Sequence, residues 1–459
     1  MKRLPALLFV LLIMGPRLAI AQSSNRPDVD PRIQKLVASV SEARLRQLVE
    51  TLAGFGTRHT LSETASPTHG IGAARQWIFD ELKRSSSKLQ VTFDTYTVAQ
   101  QGRVTRPVEL RNVMATLPGR SPRRIYITAH YDTVNIGTEG QIGSNTRPAN
   151  QPASPDPQLR PDQDYNVTAP GANDNGSGTA LTMELARVFG ESGIDFDATF
   201  VFVLWAGEEQ GLIGSRAHLQ RIAAENTVVE ANFNNDIVGN SRGGNGVIDA
   251  ETVRVYSEGP EDSPSRSLAR HAERVAALYV PSHRLRLLAR HDRFNRGSDH
   301  SSFNQHGYPA IVFREANENF AKQHAATDTV DGVDVAYLVQ NVRVNAAAAG
   351  ALALAPAAPK VVNERGQNMI GRQPSGYDAN LRWNASQGAV AYRIYWRDAG
   401  VNDWQHSQLV GNVTELVLPN VSIDDFVFGV AAVGADGHES LVSAYVSPVR
   451  RDAEVKLEP

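Results

Sequence analysis

Apolar residues recur in two alternating patterns along most of the chain. Spacing at i, i+3, i+4 and i+7 predicts helices over residues 31–53 and 73–82. Continuous apolar runs predict buried strands over residues 125–128 and 199–205. The same patterns predict strands at 252–256 and 309–313, and helices at 178–188, 215–224, 265–278 and about 333–355. Buried strands interleaved with helices are typical of an α/β domain, so we expect a mostly parallel central sheet flanked by helices.

Two segments interrupt the predicted alternation of strands and helices. The proline-rich segment Gly137–Gly171 predicts a long irregular excursion, which we expect either to rim a functional pocket or to form a surface loop. Residues 356–371 predict a linker. The α/β domain is therefore expected to span residues 22–355.

Short alternating strands follow the linker, over residues 372–451, with a short tail at 452–459. A lone Trp383 precedes the strand that contains Tyr392-Arg393-Ile394-Tyr395, and residues 431–440 predict a late hairpin. These features resemble a fibronectin type III domain, which implies an all-β sandwich at the C-terminus.

The first 21 residues have the pattern of a secretory signal peptide. Lys2 and Arg3 precede an apolar stretch over residues 4–14, and Ala19-Ile20-Ala21 is a small-residue cleavage site. The apolar stretch is too short to span a bilayer, so we expect a secreted or periplasmic protein without a membrane anchor. A buried N-terminal strand is the alternative.

Composition excludes several classes of protein. With 41% hydrophobic residues and a net charge of −3, the 459-residue chain is neither wholly disordered, nor collagen-like, nor a polytopic membrane protein. The near balance of charges provides no broad basic surface for nucleic acid. The absence of cysteine excludes disulfides, thiol nucleophiles and cysteine-ligated metals.

Histidine and carboxylate residues follow several of the predicted strands. Taken singly, each has an ordinary structural explanation, such as a helix cap or a solvated charge. Together they supply the imidazole and carboxylate ligands that a two-metal hydrolytic site requires. The carboxyl ends of parallel strands lie at the same edge of an open α/β sheet, so these side chains can meet there. Without cysteine, a metal here would take only nitrogen and oxygen ligands. The residues concerned are His130, Asp132, Asp174, Glu208, Glu209, Asp236 and His324.

Residues 31–355 resemble the secreted dizinc aminopeptidases related to bacterial leucyl aminopeptidases. Six motifs occur in the family's order: His-Tyr-Asp-Thr, Ala-Asn-Asp-Asn-Gly-Ser-Gly, Trp-Ala-Gly-Glu-Glu-Gln-Gly-Leu-x-Gly-Ser, Asn-Asn-Asp, Gly-Ser-Asp-His-Ser-Ser-Phe and His-x-x-x-Asp-Thr. The resemblance implies the zinc exopeptidase fold and two zinc ions per chain. It also implies an exported aminopeptidase that removes N-terminal residues from peptides through a water activated by the zinc ions.

The resemblance assigns roles to individual residues. His130 and Asp236 would hold one zinc, Glu209 and His324 the other, and Asp174 would bridge both. Glu208 would be the general base that moves a proton from the attacking water to the leaving amine. Asp132 would orient the His130 imidazole. A cis peptide bond is implied between Asp174 and Asn175.

Some relatives carry a tyrosine immediately before the last ligand histidine, whereas this chain has Gln323. His300 is expected to support the site rather than bind zinc. A carboxypeptidase or dipeptidase on the same scaffold remains open, because a dizinc site does not fix which peptide end is recognised. A glutaminyl cyclase is disfavoured because both ligand sets are present. A non-catalytic binding protein that uses the sandwich for adhesion is the alternative from another class.

Overall fold

The computed structural model describes residues 29–136 and 165–446. The predicted signal peptide, most of the Gly137–Gly171 excursion and the tail at 452–459 lie outside these residues. Within the described ranges, no helix is both long enough and apolar enough to cross a bilayer.

A large mixed sheet organises the first part of the chain. Its strand order is β1-β2-β4-β3-β5-β8-β6-β7. The central strands β4, β3, β5 and β8 are parallel, the pairs β1–β2, β2–β4 and β8–β6 are antiparallel, and the edge pair β6–β7 is parallel. The strands are β1 (Gln90–Val98), β2 (Val108–Leu117), β3 (Arg124–His130), β4 (Thr199–Trp205), β5 (Val229–Asn235), β6 (Thr252–Ser257), β7 (Arg284–Leu288) and β8 (Ala310–Glu315). The helices are α1 (Pro31–Ala38), α2 (Glu42–Gly54), α3 (Gly70–Ser85), α4 (Gly176–Glu191), α5 (Ile213–Ala224), α6 (Pro264–Tyr279), α7 (His300–Gln305) and α8 (Val335–Leu354). The predicted α/β fold is confirmed.

Both faces of the sheet are buried, as β4 illustrates. Phe200 and Phe202 point into the main core, where α4 and α8 pack, while Val201 and Val203 point into a second core under α5 and α7. Because successive side chains of a strand alternate between faces, a sheet covered on both sides needs a continuous apolar run. This accounts for the sequence of β4.

The predicted single helix over 31–53 is wrong, because the chain forms two helices, α1 and α2. Ser39 caps the end of α1, and the Ser41 hydroxyl accepts a hydrogen bond from the backbone N–H of Arg44 at the start of α2. Serine competes for backbone hydrogen bonds and so favours helix ends over helix interiors.

The C-terminal residues form two antiparallel sheets, in the orders β13-β10-β9 and β12-β11-β14-β15. Leu381 of the first sheet and Tyr392, Ile394 and Phe428 of the second share one hydrophobic core, so the sheets pack face to face. β9 begins at Ile370, inside the segment predicted as a linker. The strands are β9 (Ile370–Arg372), β10 (Ala379–Arg382), β11 (Ala391–Asp398), β12 (His406–Val410), β13 (Glu415–Leu418), β14 (Phe426–Val433) and β15 (Ser443–Ala444).

Candidate metal centre

The polar residues noted in the sequence lie together at one edge of the large sheet. β3 ends at His130, β5 ends directly before Asp236, and Glu208 follows β4. His324 lies in the loop after β8, and Asp174 lies in the turn before α4. Because the four central strands are parallel, their carboxyl ends bring these side chains to the same place.

Two imidazoles approach different oxygens of one carboxylate. The Nε2 atom of His130 lies 3.5 Å from Oδ1 of Asp174 and 3.5 Å from Oδ1 of Asp236. The Nε2 atom of His324 lies 3.2 Å from Oδ2 of Asp174 and 3.2 Å from Oε2 of Glu209. Asp174 is therefore shared by two clusters, each completed by one imidazole and one further carboxylate. This grouping has the form that the resemblance implies, while the role of these residues as ligands stays a prediction.

The loop that carries Asp174 is held from both sides. The predicted cis peptide between Asp174 and Asn175 is confirmed. The carboxylate of Asp328 accepts hydrogen bonds from the backbone N–H groups of Asp174, at 2.8 Å, and Asn173, at 3.1 Å. On the other side, a Cβ atom at Gly178 would collide with the carbonyl oxygen of Asn235, so glycine allows α4 to pack directly on the end of β5. The sequence analysis missed the role of Asp328, although its His-x-x-x-Asp-Thr motif contains this residue.

Two residues at the site adopt left-handed backbone conformations. His324 has φ +55°, and Ile237, directly after Asp236, has φ +61°. The conformation costs about 1–3 kcal/mol for residues with a Cβ atom, and it is rarest for β-branched residues such as isoleucine. The surrounding structure therefore enforces the backbone at both of these positions.

Asp132 fixes the two adjacent glutamates through their backbone. Its carboxylate accepts hydrogen bonds from the N–H groups of Glu208, at 3.2 Å, and Glu209, at 3.1 Å. The Nδ1 atom of His130 lies 3.1 Å from the backbone oxygen of Asp132 and 3.6 Å from its carboxylate. Asp132 therefore contacts His130 mainly through the main chain, and its side chain positions the loop after β4.

The site concentrates negative charge. Burial raises the pKa of Glu208 well above its ordinary value, and the charges of Glu209 and Asp236 add to this effect against the opposing effect of His130. Burial alone would lower the pKa of His130 and of His324, but the surrounding carboxylates outweigh it and raise both values well above the ordinary one. The pKa values of the glutamate and of both imidazoles are all raised, which indicates an environment that stabilises positive charge.

The donor set fits zinc. Oε1 of Glu209 and Oδ1 of Asp236 are buried and accept no hydrogen bond within the described part of the chain. Ligand atoms of His130, Asp174 and Glu209 lie within 4.8 Å of one another, as do those of His130, Glu208 and Asp236. Imidazole nitrogen and carboxylate oxygen are ligands that zinc accepts. By distance, Glu208 is placed for either ligation or proton transfer, and the metal content of a variant distinguishes the two roles.

Gln323 and His300 surround the site without joining either cluster. The Gln323 amide donates to Glu318 at 3.0 Å and accepts from Arg296 at 2.8 Å, so both ends of the amide are engaged by these two residues. The Nε2 atom of His300 lies 3.1 Å from the backbone oxygen of His291, and its supporting role stays a prediction.

Arg314 is a site neighbour that the sequence analysis missed. Its side chain is fully buried, and Nη1 lies 3.1 Å from Oδ2 of Asp236. Nε and Nη2 donate to the two carboxylate oxygens of Asp292, at 3.1 and 2.9 Å. Arg314 follows the apolar run of β8, but no pattern in the sequence indicates its partners, which come from distant segments.

Comparison with known proteins identifies the family. Residues 112–349 match the model of peptidase family M28. A probable zinc metalloprotease of Pyricularia oryzae is 36% identical, over 91% of this chain and 84% of its own length. A probable zinc metalloprotease of Leptosphaeria maculans is 34% identical, over 90% of this chain and 97% of its own length.

Solved structures of aminopeptidases have a fold similar to that of this chain. The LapA aminopeptidase of Legionella pneumophila aligns with a TM-score of 0.52 at 19% identity, over 73% of this chain and 78% of that protein. An aminopeptidase from Aneurinibacillus sp. strain AM-1 aligns with a TM-score of 0.50 at 15% identity, over 69% of this chain and 95% of that protein. With a family match over more than half of its length and relatives of more than 30% identity along nine-tenths of it, the chain belongs to peptidase family M28.

Proposed function

We propose that this protein is an exported, zinc-dependent aminopeptidase that removes N-terminal residues from peptides and holds two zinc ions per chain. The observation that carries the proposal is the shared carboxylate of Asp174, whose two oxygens face His130 and His324. The names of the related zinc metalloproteases and of the structurally similar aminopeptidases support it.

In this proposal each cluster holds one metal ion. His130 and Asp236 belong to one position, Glu209 and His324 to the other, and Asp174 to both. When bound, zinc supplies a water of lowered pKa and polarises the scissile carbonyl.

Glu208 is the proposed general base. Its side chain lies beside His130 and Asp236 and is partly exposed, and in this proposal that exposure gives a substrate access to it. The raised pKa of Glu208 suits a group that accepts a proton from water and then donates it to the leaving amine. The Asp132 carboxylate accepts a hydrogen bond from the backbone N–H of Glu208 and thereby fixes the backbone position from which the Glu208 side chain extends.

The proposal also covers export of the protein and the type of its C-terminal domain. Residues 1–21 would act as a signal peptide that is removed near Ala21, which places the mature enzyme outside the cytoplasm. The C-terminal sandwich would be a fibronectin type III-like domain. Peptides are the proposed substrates.

A paired-peptide assay tests the activity. One short peptide is supplied with a free amino terminus and with an N-acetylated terminus, each with and without a zinc chelator. The proposal predicts release of single residues from the free-amine peptide alone, abolished by the chelator. Equal or preferred cleavage of the acetylated peptide would contradict an aminopeptidase and favour a carboxypeptidase.

A further inference from the structure

A cluster of buried arginines lies beside the candidate metal centre. Glu318, itself 1% exposed, contacts Arg254 at 2.5 Å, Arg293 at 2.6 Å and Arg296 at 3.3 Å. The remaining carboxylate of the cluster, Asp292, contacts two guanidinium groups. The arginine cluster consists of Arg254, Arg293, Arg296 and Arg314, with Asp292 and Glu318 as its carboxylates.

The arginine cluster has more positive than negative charges. Four guanidinium groups face two carboxylates. Asp236 also contacts Arg314, but as a proposed zinc ligand its charge would be shared with a divalent ion. Glu315 does not restore the balance, because burial raises its pKa well above the ordinary value and its carboxylate accepts from Asn173 and a backbone N–H. Burying unbalanced charge is unfavourable, so a site of this kind favours an anion.

Arg296 is the member of the cluster placed to meet that anion. Its side chain is 20% exposed, more than the other three. Among the described residues, its hydrogen-bond acceptors are Glu318 and Gln323, which leaves several of its five N–H donors for another partner. The guanidinium lies over the ring of Phe320, 5.5 Å from the ring centre, and Phe320 is itself 46% exposed.

Arg296 is also joined to the loop that carries His324, a proposed zinc ligand. It donates to Gln323, the residue immediately before His324. The charge of Asp174 contributes to the electrostatic environment of Arg296, although burial is the larger influence and lowers the pKa of this arginine. In the proposed function, a group bound at Arg296 would therefore lie on the side of the site that carries His324.

We propose that Arg296 binds a carboxylate of the peptide substrate, so that the enzyme prefers substrates with a negative charge close to the scissile bond. The inference rests on the proposed function. A guanidinium binds a carboxylate through two parallel hydrogen bonds, a geometry that an amide of the same size does not reproduce. The carboxylate is either the side chain of an acidic N-terminal residue or the C-terminal carboxylate of a dipeptide.

Two matched substrate pairs separate these sources in the zinc-loaded full chain. The first pair is the p-nitroanilide of glutamate against that of glutamine. The second pair is the dipeptide Leu-Ala against its C-terminal amide. The readout is the ratio of kcat/KM within each pair, which cancels any loss common to both substrates.

We expect one pair to favour the carboxylate by about ten- to a hundredfold, and Arg296→Gln to bring that ratio close to one. Arg296→Lys should retain part of the preference, because it keeps the charge but not the paired hydrogen bonds. Arg290→Gln is the matched control, since Arg290 is an exposed arginine of the same loop, and it should leave the ratio unchanged. Ratios near one for both pairs in the natural protein, or a preference that survives Arg296→Gln, would overturn the inference.

Direct binding separates this inference from the proposed activity. If no substrate is turned over, the aminopeptidase proposal fails, and calorimetric titration decides the question of binding, with free glutamate against glutamine and with Leu-Ala against its C-terminal amide. Tighter binding of the carboxylate member of one pair, weakened by Arg296→Gln, would support the carboxylate site. Equal binding within both pairs, or a preference insensitive to Arg296→Gln, would overturn it.

Discussion

Replacing Arg314 by methionine should strongly destabilise the fold. The guanidinium is fully buried and makes a bidentate contact with Asp292, whose side chain is also fully buried. Arg314→Met removes this contact and the contact with Asp236, at similar volume. Two buried carboxylates then lose a cationic partner.

The loss in the free energy of unfolding depends on which cationic partners the two carboxylates keep. Loss of one partner of a buried ion pair costs about 3–5 kcal/mol. Asp292 keeps a contact with Arg293 at 3.2 Å, and Asp236 keeps His130, so we expect the lower part of that range, about 3 kcal/mol. The exposed pair Arg372–Asp424, also joined at 2.9 Å, serves as the comparison, and Arg372→Met should cost at most about 1 kcal/mol.

Urea unfolding measures both variants, with a chelator present so that metal binding does not add to the measured free energy of unfolding. A double variant, Arg314→Met with Asp292→Leu, should recover part of the loss, because it removes one of the unpaired buried charges. A loss for Arg314→Met no greater than that for Arg372→Met would refute the reasoning that burial determines the energetic weight of this pair.

Four further predictions concern the site and the C-terminal domain. Glu208→Gln should retain the bound metal yet lower kcat by about 10²–10⁴-fold; loss of metal would make Glu208 a ligand. His324→Ala should lower the zinc content measured by atomic absorption, and unchanged content would exclude it as a ligand. Asp328→Ala should weaken zinc binding about 10–100-fold in a competition titration, because the Asp174 loop loses its support. Although burial acts in the opposite direction, neighbouring arginines hold the pKa of Glu439 below its ordinary value. Glu439→Gln should therefore cost about 1 kcal/mol at pH 7 by urea unfolding, and the difference should shrink as the pH falls below about 4.

The candidate ligands were predictable because each lies in a short motif, either at or just after the end of an apolar strand or, for Asp174 and His324, in the turn before α4 and the loop after β8. His130 directly ends β3, and Asp236 directly follows β5, so the sheet itself brings them together. The local sequence was therefore sufficient to predict the fold class and the residues that meet in the candidate site.

The features that sequence reasoning missed depend on long-range contacts or on weak patterns. β1 was not predicted, because it is partly exposed and mixes polar with apolar residues. Arg314 and Asp292 are 22 residues apart, and only the folded chain shows that they pair. The contact of the Asp132 carboxylate with the backbone after β4 was missed for a similar reason, because the two segments meet only in the folded chain. The predicted role of Asp132 toward His130 stays a prediction.

Anomalous diffraction at the zinc absorption edge, from crystals of the zinc-loaded protein, would locate the metal ions themselves. We expect two peaks, one between His130 and Asp236 and the other between His324 and Glu209, with Asp174 contacting both. A single peak, or two peaks that do not share Asp174, would contradict the proposed dizinc centre.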